Sequence, residues 1–199
     1  MHISEGVLAA PVLLSGAGLT LAGTAMGLKR IDYDRIMSVA ILSAAFFVAS
    51  LVHVPVGPSS AHLILNGLIG LILGWAAFPS ILVALLLQAV LFQFGGLTVL
   101  GVNTFTMAAP AVLCHYMFRP LLRKGKASMG AFLVGFCSVL LSALLAGGAL
   151  ALSGDAFIPA ATGLVVTHIP IMIVEGFIAS FAYSFLAKVK PEVLQGITA

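Results

Sequence analysis

Five histidines, His2, His53, His62, His115 and His168, are the side chains of this sequence best suited to chemistry. The two cysteines, Cys114 and Cys137, sit inside apolar runs, where a thiol usually serves as a small packing group. His2 stands apart because of its place in the chain. The terminal amine of Met1, the amide nitrogen of His2 and Nδ1 of its ring can bind one metal ion together. The first two close a five-membered chelate ring and the last two a six-membered one. Three nitrogens then lie near one plane with one in-plane position open, which suits Ni(II) or Cu(II). Such binding displaces protons from the amine and amide, so affinity falls at low pH. A histidine near a terminus is also commonly an exposed residue with no ligand, and position alone leaves both readings open.

Other chemistry is poorly provided for. The nearest approach to a phosphate-binding loop is "RKGKAS" at 123–128. It has Gly125-Lys126 but Ala127 where Ser or Thr is required, and no glycine at 120. No nucleophile and base share a helical spacing. These observations argue against an enzyme and against ATP hydrolysis by this chain.

The elements that must position the histidines are membrane helices. Of 199 residues, 61% are hydrophobic and only 8% charged, and the mean hydropathy is +1.21. Residues 36–118 carry no Asp, Glu, Lys or Arg, and one bilayer crossing takes about 20 residues. The apolar runs are continuous rather than alternating, as helices and not barrel strands require. Residues 1–27 lack the basic start of a cleaved signal peptide and read as a retained first helix. The net charge of +3 comes from short loops and does not indicate a nucleic-acid partner.

Basic residues cluster at Lys29, Arg30 and Arg35, at Arg119, Arg123, Lys124 and Lys126, and at Lys188 and Lys190. With all three clusters cytoplasmic, an even number of crossings separates neighbouring clusters. The expected fold is an all-α integral membrane protein of seven transmembrane helices, amino terminus outside and carboxyl terminus inside. The helices are expected near 7–28, 36–54, 60–77, 80–96, 103–119, 128–152 and 160–187, forming a single membrane-embedded domain over 1–199. Gly18/Ala22 and Gly23/Gly27 in the first helix have the spacing that lets helices approach closely. Internal packing and a face for a partner both account for it.

On this topology His2, His53, His62 and His168 lie towards the outer face, and His115 lies near the cytoplasmic end. A fourth nitrogen from His62 would complete the plane begun at Met1 and His2. His53 reads as an interfacial residue and His115 as a structural one. His168 shares a helix face with Glu175, an ionisable residue near mid-membrane and so a functional candidate, though a buried structural acceptor is an equal reading. Glu5, Asn66, Gln93, Asn103, Thr106 and His168 are polar residues that could orient the ligands, and ordinary interhelical hydrogen bonds explain most of them as well.

Four segments in order carry a resemblance: "MHISEG" (1–6), "SSAHLILNGLIGLILG" (59–74), "FQFGGLTVLGVNTFTMAAPA" (92–111) and "HIPIMIVEG" (168–176). Together they resemble the CbiM/NikM family, the substrate-binding membrane components of energy-coupling-factor transporters for cobalt and nickel. The resemblance implies a seven-helix fold whose amino-terminal segment folds back into the bundle from outside. It implies a metal held by the amine of Met1, the amide and ring nitrogens of His2, and His62. It also implies partners in a prokaryotic cell membrane: a transmembrane coupling subunit, paired ATPases and a small accessory membrane subunit. Ser4 departs from the Pro or Met associated with the opening motif. Phe94 stands where cobalt-type members often carry His, and His168 where Gln can occur, which leans towards nickel.

The expectation is therefore a substrate-capture subunit for Ni2+, with Co2+ second. A stand-alone metal channel or secondary transporter is the rival. It would want a charged path, and residues 36–118 offer none. A structural subunit with incidental histidines, and a vitamin-binding relative, are weaker readings.

Overall fold

The computed structural model describes residues 2–31, 33–56, 59–123 and 126–194, and for residues 35, 53–56 and 59–61 the backbone alone. Seven α-helices run through the described residues: α1 (Ala10–Leu28), α2 (Tyr33–Ala49), α3 (Asn66–Leu73), α4 (Ala77–Phe92), α5 (Leu100–Arg123), α6 (Ala127–Ala151) and α7 (Ile158–Val189). Between α2 and α3 lies an antiparallel hairpin of β1 (His53–Val56) and β2 (Ser59–His62), with His53 opposite His62.

Four helical runs are long and apolar enough to cross a membrane: Ala10–Leu28, Asn66–Phe92, Ala127–Ala151 and Asp155–Val189. Large apolar side chains such as Leu14, Leu21, Ile41, Val90 and Phe181 are exposed on the outside of the bundle. That is the surface a lipid solvent calls for, and the chain is a multi-pass membrane protein.

The run Asn66–Phe92 is not one straight rod. A straight helix rising 1.5 Å per residue would hold Asn66 and Gln88 about 33 Å apart. Yet His62 stacks on His2, and His2 hydrogen-bonds Gln88. The run therefore doubles back, and the turn is a 3-10 stretch at Gly74–Ala76 where Gly74 takes φ +55°. Downward, α3 follows α5: Asn66 bonds the Met107 carbonyl, and Leu71 receives a bond from His115. Upward, α4 follows α2, from the Ser43–Ser80 contact to the Ser50–Gln88 contact.

The expected helix at 60–77 is thus a strand, an extended link at 63–65 and an eight-residue helix. Apolar content alone cannot tell these apart, because short apolar runs suit a buried strand and a buried helix equally. What decides it is an acceptor from elsewhere. The carboxylate of Glu175 on α7 accepts the backbone N–H of Ile64 at 2.5 Å and of Leu65 at 2.9 and 3.0 Å. Those amides therefore need no helical partner, and Leu65 adopts a left-handed φ of 53° just before α3.

The small residues of α1 serve both readings. Gly16, Thr20, Gly23 and Gly27 are buried. A Cβ on Gly23 would collide with the Phe78 ring, and one on Gly27 with Pro79 and the Trp75 carbonyl. Gly18 and Ala22 face outward, and a Cβ on Gly18 would meet nothing within 4 Å.

Candidate metal centre

The amino-terminal segment is held inside the bundle by its backbone. Asn103, at the start of α5, accepts from the N–H of Ile3 and donates to its carbonyl, both at 3.1 Å. One carboxamide thus satisfies both polar groups of a peptide that is only 4% exposed. Thr106 supports this clamp by donating to the Asn103 carbonyl at 3.1 Å. Further along, the Glu5 N–H donates to the Gly95 carbonyl at 3.2 Å. The Glu5 carboxylate accepts from the Thr98 N–H at 2.9 Å and its hydroxyl at 3.2 Å. Those donors hold the carboxyl below the usual carboxylate range. Gly96 lies beneath this contact at φ +133°, and any Cβ there would collide with the Glu5 side chain. The double glycine of "FQFGG" is the groove through which the segment enters.

These anchors bring His2 onto His62. The ring centroids are 4.8 Å apart, tilted by 29°, although α1, α2 and β1 lie between the residues. His62 is buried, and its Nδ1 donates to the Leu63 carbonyl at 3.0 Å, which leaves the lone pair on Nε2. Phe94 lies beside His2 with ring centroids 6.2 Å apart. Imidazole lone pairs lie in the ring plane, so two rings stacked at this tilt meet one ion only after one ring turns. Among the described residues no three His, Cys, Asp or Glu side chains form a metal-binding group.

A polar partner of His2, at Nε2, is Gln88 on α4. Its Oε1 accepts from His2 Nε2 at 2.9 Å. Gln88 itself is fully buried, and its Nε2 donates to Ser50 Oγ and to the Phe47 carbonyl. Sequence reading pointed to Gln93 instead. Gln93 is exposed and ends α4 in a left-handed conformation, φ 58°, with its N–H returned to the Gln88 carbonyl. The signal that could have separated them is helical phase. Gln88 lies one turn beyond Ala84 and Leu85 on the buried face, while Gln93 falls past the last turn.

The other expected residues divide clearly. Asn103 and Thr106 act on the segment that carries His2, and Glu5 fixes that segment three residues on. Asn66 lies elsewhere, donating to the Met107 carbonyl and to Ser142 Oγ, both at 2.9 Å. His168 donates from Nδ1 to the Leu164 carbonyl of its own helix at 2.7 Å, and its buried Nε2 has no hydrogen-bond partner among the described residues. Glu175 supports the link that carries His62. His115 is buried far from the pair, bonded to the Leu71 carbonyl and edge-on to Tyr116. Met1 and the His53 side chain lie outside the described residues.

Comparison with known proteins identifies the family. A family model described as the cobalt uptake substrate-specific transmembrane region, CbiM, matches residues 2–193. A Haemophilus influenzae protein assigned to metal transport is 46% identical, over 98% of this chain and 97% of its own. The cobalt transport protein CbiM of Kyrpidia tusciae is 32% identical, over 98% of this chain and 86% of its own. An Archaeoglobus fulgidus protein assigned as a fused nickel transport protein, NikMN, is 31% identical, over 98% and 68% respectively. A crystal structure of a transition metal transporter superposes with a TM-score of 0.83 at 27% identity, covering 95% of this chain and 93% of that one. The chain belongs to the CbiM family of cobalt and nickel transport proteins, which are metal transport components and not enzymes.

Proposed function

We propose that this chain is the substrate-capture subunit of an energy-coupling-factor importer, taking Ni(II) first and Co(II) second. The ion is bound by the terminal amine of Met1, the amide nitrogen and Nδ1 of His2, and the ring of His62. An amino terminus that begins at Met1 is part of this proposal. The single observation that carries it is the His2–His62 stack at 4.8 Å. Two imidazoles are brought together beside a chain end whose own nitrogens can chelate, and one turned ring suffices to converge them. Four nitrogens in a plane favour Ni(II) over Co(II), and Phe94 beside His2 supplies no further donor.

The chain crosses a prokaryotic cell membrane seven times, with the site on the outer side. In support, Lys29 and Arg30 follow α1, and Lys188 and Lys190 close α7, both at the ends remote from His2. Partner subunits complete the transporter: a transmembrane coupling subunit, paired ATPases that supply ATP hydrolysis, and a small accessory membrane subunit. The outward Gly18/Ala22 stripe of α1 is the docking face for the coupling subunit. Ala22→Leu tests this more cleanly than a change at Gly23, which would collide with Phe78.

The test of binding is a calorimetric Ni(II) titration of the purified chain. One ion per chain, with affinity lost in His2→Ala and in His62→Ala, is expected. Undiminished binding in both variants contradicts the assignment. Metal uptake by the isolated chain in ATP-free proteoliposomes would favour a channel or secondary transporter instead.

A further inference from the structure

Only one ring nitrogen of His2 can close a six-membered chelate with that residue's own amide. It is Nδ1, bonded to the carbon that bears Cβ; Nε2 is too remote. A neutral imidazole carries its proton on one nitrogen and its lone pair on the other. Chelation is therefore ready only in the tautomer with the proton on Nε2. The partner of Nε2 decides which tautomer is present.

That partner is Gln88 Oε1, at 2.9 Å, and a carboxamide oxygen only accepts. The orientation of the amide is in turn fixed from α2. Its nitrogen faces Ser50 Oγ and the Phe47 carbonyl, and the Ser50 hydroxyl donates onward to the same carbonyl at 2.8 Å. Reversing the amide would set its oxygen against the Phe47 carbonyl. The Ser50 hydroxyl could satisfy that oxygen only by giving up its own bond to Phe47, a mismatch at the α2 end whichever tautomer His2 holds. Gln88 and Ser50 are both 0% exposed, so water cannot repair the mismatch.

We infer that Gln88, oriented by Ser50 and Phe47, is a positioning residue that holds His2 in the Nε2-protonated tautomer and so presets Nδ1 for the metal. The inference rests on the proposed Met1–His2–His62 centre and deepens it. Gln88 touches no metal in this account. It acts by removing the tautomer exchange that would otherwise accompany capture.

The deciding measurement is the 15N spectrum of the His2 imidazole in the metal-free protein, labelled at histidine. The wild type is expected to show a protonated Nε2 and an unprotonated Nδ1. Gln88→Met, which keeps the side-chain volume and removes the acceptor, is expected to shift population towards the Nδ1-protonated form. It should also weaken Ni(II) binding by about 10- to 100-fold, as loss of a ligand's hydrogen-bond partner does. Gln88→Glu retains an acceptor and is expected to keep the wild-type tautomer. A protonated Nδ1 in the wild type overturns the inference without needing any variant to fold. So does a Gln88→Met protein with unchanged tautomer and unchanged affinity. If His2→Ala binds Ni(II) as the wild type does, the centre itself falls. If His2→Ala loses binding while Gln88→Met keeps it, only the role of Gln88 falls.

Discussion

His62 and His115 make an instructive pair. Both are buried, at 5% and 6% exposure, and both donate from Nδ1 to a backbone carbonyl at 3.0 Å, Leu63 in one case and Leu71 in the other. Burial and main-chain bonding are the same, yet their surroundings point to different work. His62 ends a strand and meets the ring of His2. His115 sits mid-helix on α5, edge-on to Tyr116, whose hydroxyl accepts from Arg30, a guanidinium lying 5.8 Å over Trp75. One end of the bundle gathers nitrogen donors around a groove. The other is closed by aromatic and cationic groups where the α3–α4 run turns back. A buried histidine is a ligand candidate only where a second donor can reach it.

The contrast can be broken most directly by His62→Ala. Metal sites of four donors are worth on the order of 10 kcal/mol or more, so losing one donor should weaken Ni(II) binding by about 100-fold or more. Asn103→Ala acts one step back, freeing the Ile3 peptide and with it the position of His2. An affinity loss of roughly 10-fold, at the lower end of the range for groups that orient ligands, is expected in the same titration. Affinity in both proteins should fall with acid as the donors protonate. His115→Ala should leave Ni(II) affinity within about twofold of wild type while lowering thermal stability, because a buried ring and its bond are removed. A loss of binding there comparable with His62→Ala would erase the distinction. Glu5→Gln should have the smallest effect. Its carboxyl is held low by Thr98, so its grip on the segment is present above the ordinary carboxylate pKa and lost as pH falls through the lowered value. The variant should match the wild type in acid and differ slightly at neutral pH.

Much of this was legible in the sequence, and the failures are local. Charge-free runs gave the helices, and the basic clusters at residues 29–30 and 188–190 fall at the ends remote from His2. Topology placed His2, His53, His62 and His168 on one side, and the resemblance to the CbiM/NikM family singled out His62 as the partner of His2. The hairpin and the link at 63–65 did not follow, because Glu175 lies 110 residues from the Leu65 amide it accepts. No local pattern announces an acceptor that distant. Gln88 escaped for a related reason. Two glutamines, Gln88 and Gln93, lie near the end of one apolar run, and only the point where α4 stops tells which faces inward. Asn66 was suggestive by type, but its donors are spent on Met107 and Ser142.

The central claim is that the chain end and His62 share one ion. The direct measurement is Ni(II) titration of the wild type and of a protein acetylated at its terminal amine. Acetylation turns that amine into an amide while leaving the histidine in second place. The account predicts one Ni(II) per chain in the wild type, as a diamagnetic square-planar complex, and its loss in the acetylated protein. The same affinity and the same spectrum in both would contradict it.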